Sequence, residues 1–303
     1  MSVKVLALGG SGGMGRFAVS TCMDFDNVEE VIVADINTDA AIAFANSMND
    51  KVSGIGLDVT NIDSLKMQME KVDVVINTVG PFYKYGPPVL ESAIDSSCHY
   101  LDINDDWEPT LEMLKLHDKA ASKSVTAILG MGASPGLTNM LGAAAIQELD
   151  EVKTLYTGWS MDGAAAEEES SQSGVNAAMI HAVQQMTGKV RIQENGKPKM
   201  VKPLKKIKVD LPGFTKFEPR IFGHPEAITF PHHFNTIINS INLAHGSGFV
   251  FLRWIMKFVD WKIISVEKAA NIVQNLSTAI RKELEVEETQ NGDNLNITHS
   301  EDP

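Results

Sequence analysis

Cysteine is scarce. Only Cys22 and Cys98 occur among 303 residues, too few and too widely spaced for a disulfide framework or a zinc knuckle. A reducing, cytoplasmic setting is the expectation. Excess positive charge is missing as well. With 26 Lys and Arg against 39 Asp and Glu, the formal charge is −13, and no nucleic-acid partner is expected, because phosphate backbones are held by clustered cations. The one basic stretch, KPKMVKPLKKIK (197–208), alternates lysine with proline and apolar residues. A solvated edge strand fits that alternation better than an anion site. Long hydrophobic runs are also lacking. The most apolar late segment, GSGFVFLRWIMKFVDW (246–261), carries Arg253, Lys257 and Asp260 and is too short and too charged to cross a bilayer. A packed or interface helix is expected there, with no membrane partner. The amino terminus runs directly into an apolar strand without a basic region and h-segment, so no secretory signal is expected. The composition is 44% hydrophobic and 21% charged, ordinary for a globular chain of two domains.

The first half alternates strands and helices. VKVLAL (3–8), EVIVAD (30–35), VSGIGLDV (52–59), DVVINTVG (73–80), CHYLDI (98–103) and SVTAILG (124–130) read as strands. Helices are expected from Gly13 to about Phe25, with Phe17, Ala18 and Thr21 or Cys22 at helical spacing, and over 38–49, capped by Asn37 or Thr38. Further helices are expected near 61–70, from Pro87 or Pro88 to Ile94, and over 109–121. This order implies right-handed crossovers and a parallel sheet. After residue 150 the pattern changes to strands at 154–161, 189–194, 205–210 and 219–223, with helices near 175–186, 248–259 and 265–284. The stretch AAAEEESSQSG (164–174) reads as a mobile loop and the polar tail as disordered.

Against that background the run GGSGGMG (9–15) acquires meaning. It follows a strand and opens a helix, as a dinucleotide fingerprint requires. Glycines let the backbone approach a pyrophosphate, and helix-start amides attract its charge. Asp35 ends the second strand about twenty residues later, where a carboxylate accepts both hydroxyls of the adenosine ribose. The cofactor-binding candidates are Gly10, Ser11, Gly12, Gly13, Met14, Gly15, Asp35 and Ile36, with Asp58 and Val59 at the adenine. Thr78, Val79, Gly80 and Pro81, at the end of the fourth strand, would lie beside the nicotinamide ribose. Asp35 repels a 2′-phosphate, and Ile36 stands where an NADP enzyme often offers arginine, so NAD is preferred over NADP; Arg16 leaves NADP open. The fold class is therefore α/β: an N-terminal Rossmann doubly wound parallel sheet with a second α+β substrate or dimerisation domain. The expected divisions are 1–135, 136–265 and 266–303.

The glycine run also resembles that of short-chain dehydrogenases, whose base is a tyrosine four residues before a lysine. At that spacing Tyr83, Tyr85, Tyr100 and Tyr156 are followed by Pro87, Val89, Asn104 and Ser160, which excludes that class. From residue 77 the chain instead resembles the saccharopine dehydrogenase family, including its lysine 6-dehydrogenase-like members. The resemblance is carried by NTVGPF (77–82), YGPPVLESAI (85–94), HYLD (99–102), GASPGLTN (132–139) and GHPEAITFP (223–231). It implies a substrate domain inserted before the final helices, dimerisation through that domain, and NAD(P)-linked oxidation or reduction at a C–N bond. It further implies a small amino-acid-like substrate or its imine adduct, and a homodimer. The chain departs from saccharopine reductases at Ser134, where they carry aspartate, and at Asp105, near a family tyrosine. No stretch after about residue 265 matches the family's longer return, so a shortened member is expected.

Amine oxidation needs a base. Asp102 and Asp105 end the fifth strand and are the catalytic candidates, although capping of the next helix by Asp105 or Asp106 explains them equally well. Ser134, Pro135 and Gly136, leading into a helix whose amides would suit a carboxylate or the nicotinamide amide, are the substrate candidates, and a plain turn of the chain explains the glycine and proline equally well. Arg220 joins them as a carboxylate clamp or else as a surface ion pair. His224 with Glu226, and His232 with His233, lack a third ligand at recognisable spacing, so no metal is expected. The leading expectation is an NAD(P)-dependent oxidoreductase. The alternatives are a catalytically weak dinucleotide-binding sensor or assembly protein, and an enoyl or sugar reductase on the same scaffold.

Overall fold

The computed structural model describes residues 2–160, 177–209, 218–246 and 249–276. The expected loop at 164–174 and the polar tail lie outside these. Six strands, β1 (Val3–Leu8), β2 (Val28–Asp35), β3 (Val52–Gly56), β4 (Val74–Asn77), β5 (His99–Asp102) and β6 (Ala127–Ile128), form the first sheet. Their order is β3-β2-β1-β4-β5-β6, and every pairing is parallel. This is the doubly wound order whose reversal point lies between β1 and β4.

Alternation along β1 shows why this sheet is covered on both faces. Leu6 and Leu8 point into one core with Leu65, Val75, Leu90 and Tyr100. Val5 and Ala7 point into the other with Val19, Val31, Val33 and Phe44. Such near-continuous apolar strands are the signature of a buried parallel sheet. Truncating a fully buried residue such as Leu65 to alanine would cost about 2–5 kcal/mol.

The helices of this layer are α1 (Gly13–Cys22), α2 (Thr38–Asn46), α3 (Ile62–Met69), α4 (Phe82–Asp95), α5 (Trp107–Leu114) and α6 (His117–Ser122). Asn37 caps α2 by accepting from the Ala40 amide, and Asn61 caps α3 through the Ser64 amide. Three expectations are corrected. The buried face of α1 is Gly15, Val19 and Cys22, and Phe17 is exposed, because close packing of Gly15 on the loop below sets the helix rotation. Helix α4 begins at Phe82, so Pro87 and Pro88 lie inside it; the Pro81 carbonyl collects the Lys84 and Tyr85 amides and forms the first turn. The expected helix over 109–121 is two helices, interrupted where the Lys115 and Leu116 amides fall back onto Glu112 and Met113.

The second sheet contains β7 (Thr154–Ser160), β8 (Val190–Glu194), β9 (Lys197–Val201), β10 (Arg220–Phe222) and β11 (Asn239–His245). It runs β10-β11-β8-β9, and β7 pairs with β11 in parallel. β9 is the edge strand expected from the lysine-rich stretch. The strand expected at 205–210 is reduced, among the described residues, to a single bridge from Lys206 to Arg220, since prolines and lysines leave no continuous ladder. α7 (Leu137–Gln147) and α9 (Glu226–His233) pack beside this sheet. At Gly142 a Cβ would stand 2.4 Å from the Phe230 ring, so only glycine allows α7 and α9 this approach.

The described residues fall into two compact units. One is drawn from Met1–Gln172 and Lys189–Ser247 and holds both sheets. The other, drawn from Ser173–Gly188 and Gly248–Pro303, holds α8 (Ala177–Gln185), α10 (Phe249–Asp260) and a helix over 266–276. Within it the Asp260 carboxylate accepts the Gly188 amide at 2.9 Å. No helix among the described residues is long and apolar enough to cross a membrane.

Candidate functional site: a glycine cradle and a buried polar cluster

The carboxyl ends of β1, β2 and β4 meet at the glycine run. Gly9 takes a left-handed conformation, φ +70°, and turns the chain from β1 toward α1. At Gly15 a Cβ would stand 2.1 Å from the Gly9 carbonyl oxygen and 2.6 Å from Gly10 Cα; the helix start rests directly on the loop. Gly12 is exposed, and a Cβ there would meet only the Gly9 carbonyl, at 3.4 Å. The first amides of α1 have no intrahelical acceptor, and with the helix dipole they form an anion cradle. Met14 at its rim is half exposed.

Asp35 closes one end of the cradle. Its Oδ2 accepts the Ser11 hydroxyl at 2.7 Å and its Oδ1 accepts the Asn37 amide at 3.1 Å. Arg16 donates through Nε to the Ser11 carbonyl at 2.7 Å and lies over the Phe44 ring at 4.8 Å. Ile36 is 76% exposed just beyond. Asp58 accepts both the amide and the hydroxyl of Thr60, and these bonds hold its carboxyl below the usual range. Val59 packs against the core. At the other end Thr78 donates to the Leu8 and Gly9 carbonyls. The Val79 amide donates to Asn77, and Gly80–Pro81 is a cis peptide.

Asp102 sits differently from its expected cleft-facing position. It is 1% exposed, and its carboxylate accepts the Gly130 amide at 2.7 Å, the Asn104 amide at 3.1 Å and the Tyr100 hydroxyl at 3.0 Å. Burial raises its pKa to about 6 against the opposing pull of those bonds. Tyr100 in turn accepts from Asn77, so the ends of β4, β5 and β6 are tied together internally. Asp105 is half-buried. The capping expectation is corrected: Asp106 occupies the N-cap of α5 without a side-chain cap bond, and it is the Asp106 carbonyl that collects bonds, from Asn104 and Thr110.

The turn from β6 to α7 is stitched onto the end of β5 by the Met131 amide on the Asp102 carbonyl. A Cβ at Gly136, φ +116°, would stand 2.1 Å from the Gly132 carbonyl oxygen. The amides expected to receive a carboxylate are already engaged: Gly132 with Pro135, Gly136 with Asn139, Leu137 with Gly132 and Thr138 with Ala133. One side of this turn borders an apolar groove of about 930 Å³, lined also by Met113, Leu137, Met140 and Phe234.

Ser134 lies at the focus of a cluster that the sequence did not assemble. Its Oγ is 2.5 Å from Glu226 Oε1, 3.0 Å from His224 Nδ1 and 3.2 Å from Asn242 Nδ2. Thr138 also donates to Glu226 Oε1, at 2.6 Å. Asn242 reaches Thr157 and accepts from the Trp159 indole, and Trp159 stacks on His224 with centroids 5.4 Å apart. Ser134 is half-buried; His224, Glu226 and Asn242 are buried. Burial raises the Glu226 pKa, Ser134 and Thr138 oppose this, and the charge of Asp105 adds to it. The serine bridges acid and imidazole, whereas in a hydrolytic triad the imidazole bridges serine and acid. Arg220 is buried, with Nη1 on the Leu204 carbonyl at 3.2 Å, so the expected surface position is corrected. The sequence offers His224 and Glu226 as a pair better suited to a hydrogen-bonded turn than to a metal, and does not point to Asn242, Thr138 or Thr157. An asparagine between Ile241 and Leu243 in an apolar run was the available signal.

Residues 5–128 match the family model for the saccharopine dehydrogenase NADP binding domain. A saccharopine dehydrogenase-like oxidoreductase from Bos taurus is 37% identical over 89 residues, covering 28% of this chain and 20% of that protein. Its counterpart from Rattus norvegicus is 32% identical over 141 residues, covering 45% of this chain and 30% of the relative. The matched stretches thus span well under half of these relatives. Among solved structures, saccharopine dehydrogenase (L-Glu forming) from Saccharomyces cerevisiae superposes with a TM-score of 0.59 at 18% identity, covering 84% of this chain and 58% of that one. That likeness concerns the fold. Family model, relatives and fold together bear out the resemblance to the saccharopine dehydrogenase family, whose NADP binding domain is matched at residues 5–128.

Proposed function

We propose that this chain is an NAD(P)-dependent oxidoreductase, with NAD preferred, transferring hydride at a C–N bond of an amino acid or its imine adduct. The observation that carries this reading is the glycine cradle with Asp35 at its rim, inside a region matched by an NADP binding domain. The cradle fits the group: Gly10 and Gly15 let the turn pack tightly on Ala7 and Gly9, Gly12 leaves open backbone that a pyrophosphate can approach, and the Asp35 carboxylate offers acceptors for ribose hydroxyls.

A bound nicotinamide would supply the hydride acceptor or donor. The remaining work falls to this chain. The Ser11, Gly13, Met14 and Gly15 amides hold phosphate beside the open backbone of Gly12, whose own amide donates to Gly9, and Asp35 and Ile36 select a ribose without a 2′-phosphate. Asp58 and Val59 flank the adenine, and Thr78, Val79, Gly80 and Pro81 border the nicotinamide ribose. Asp102 and Asp105 remain the proposed acid–base candidates, and Ser134, Pro135, Gly136 and Arg220 the proposed substrate side. The reading includes a cytoplasmic homodimer with nucleotide binding confined to residues 1–135.

The test has two arms. Thermal stabilisation by NADH and by NADPH reports binding and preference, because a ligand of the folded state raises apparent stability. Absorbance at the reduced nicotinamide band, with a panel of amino acids and oxo acids, reports turnover. Stabilisation without turnover would favour a second reading, a catalytically weak dinucleotide-binding sensor or assembly protein. The burial and triple hydrogen bonding of Asp102 favour that alternative.

A further inference from the structure

The geometry points to a proton relay in which the Ser134 hydroxyl couples the buried Glu226 carboxyl to the His224 imidazole. Ser134 has one proton and two partners that can each take or give one: Glu226 Oε1 at 2.5 Å and His224 Nδ1 at 3.0 Å. Two complete arrangements satisfy the same positions. In the first, Glu226 is ionised, Ser134 donates to it, and His224 donates through Nδ1–H to Ser134. In the second, Glu226 carries a proton and donates to Ser134, which donates to an unprotonated Nδ1. Asn242 donates to Ser134 and Thr138 donates to Glu226 Oε1 in both, so Ser134 and Glu226 Oε1 keep full sets of partners in either state.

Passage from the first to the second takes up one proton from solvent and releases none. As His224 takes a proton at Nε2, its Nδ1–H bond breaks and a Ser134 O–H bond forms. The original Ser134 O–H bond breaks, and an O–H bond forms on Glu226 Oε1. One proton moves from ring to carboxyl, and the imidazolium and carboxylate charges cancel.

The surroundings favour storage at the carboxyl. Glu226 is fully buried, and its other oxygen, Oε2, has no hydrogen-bond partner among the described residues. Burial, with the charge of Asp105, favours its protonated form. The Trp159 and Phe222 rings enclose His224 on its face and edge, and Ser134 bridges ring and acid.

Use of this relay in turnover rests on the C–N reading, since amine oxidation must discharge a proton. The relay itself is measured without substrate. Full-length protein with ¹⁵N-labelled histidine is titrated from about pH 5 to about pH 8, with His224→Gln used for assignment. Wild type is expected to exchange tautomers, the neutral ring bearing its proton on Nε2 while Glu226 is protonated and on Nδ1 once it ionises. In Glu226→Gln the ring is expected to stay Nδ1-protonated, because the amide oxygen accepts from Ser134 but holds no proton. Ser134→Ala should abolish the exchange and keep the acid. A wild-type His224 with one neutral tautomer throughout, or one that exchanges equally in Glu226→Gln, overturns the relay. The wild-type result stands even if a variant fails to fold. Exchange of tautomers in a protein that turns over no C–N substrate leaves the relay standing and removes the C–N reading.

Discussion

Ser11 donates its hydroxyl to Asp35 across 2.7 Å, so the tip of the glycine loop and the end of the second strand are fastened before any nucleotide arrives. The Asn37 amide on the other carboxylate oxygen fixes the same side chain from behind. Asp35→Asn keeps the shape and removes the charge that opposes a 2′-phosphate. The ratio of NADPH to NADH affinity is expected to rise about tenfold, equivalent to about 1.4 kcal/mol, in fluorescence titrations of the reduced cofactors. An unchanged ratio would detach cofactor choice from this residue. Ser11→Ala should weaken binding by no more than the worth of one hydrogen bond, about 1 kcal/mol.

Gly15→Ala is a different kind of change. The new methyl would overlap the Gly9 carbonyl and Gly10 Cα, both backbone, so the loop must move away from α1. Expected are a loss of NADH binding by at least about tenfold and a stability loss of about 1–3 kcal/mol. Calorimetric titration and urea unfolding check these separately. Normal binding in the variant would mean that the cradle does not depend on this contact.

Asp102 should write a slope into the stability profile. Its folded pKa, about 6, lies above the ordinary aspartate value of 3.8. Between those values the folded chain keeps a proton that the unfolded chain has lost. The stabilising contribution is complete below the unfolded value and disappears as pH rises through about 6. Its size is on the order of 3 kcal/mol at most. Wild type minus Asp102→Asn, followed by urea unfolding across that window, should show this decline. A flat difference would argue against a protonated Asp102 in the folded state.

Both cysteines are buried, and desolvation pushes Cys98 up to about 12. Thiolate is the reactive form. Iodoacetamide should therefore label neither residue appreciably in the folded protein and both rapidly in urea, as read by intact mass. Fast native labelling of Cys98 would mean that β5 opens locally.

The parallel sheet was legible because its evidence is local. Leu6 and Leu8 alternate with Val5 and Ala7, and the glycine run and Asp35 lie at strand ends that periodicity alone identifies. The start of α4 was not legible, since two consecutive prolines normally mark a beginning and here the turn at Pro81 builds one earlier. The polar cluster was illegible for another reason. Ser134, Glu226 and Asn242 come from three segments, with Ser134 separated from Glu226 by 92 positions and from Asn242 by 108, and nothing local to any of them records the meeting. Asp102 misled in a related way: its strand-end position was right, but internal amides had claimed its carboxylate.

The pairing of β7 with β11 sets an order on biosynthesis. Thr154 lies opposite Asn239 and Ser160 opposite His245, and among the described strands β7 pairs only with β11. As the chain leaves the ribosome, β7 must wait for about eighty further residues before its ladder can close, a delay of seconds at ordinary elongation rates. The first sheet has all its strands by Ile128. Throughout that interval a nascent chain carries a completed parallel sheet beside a β-strand whose ladder is still open.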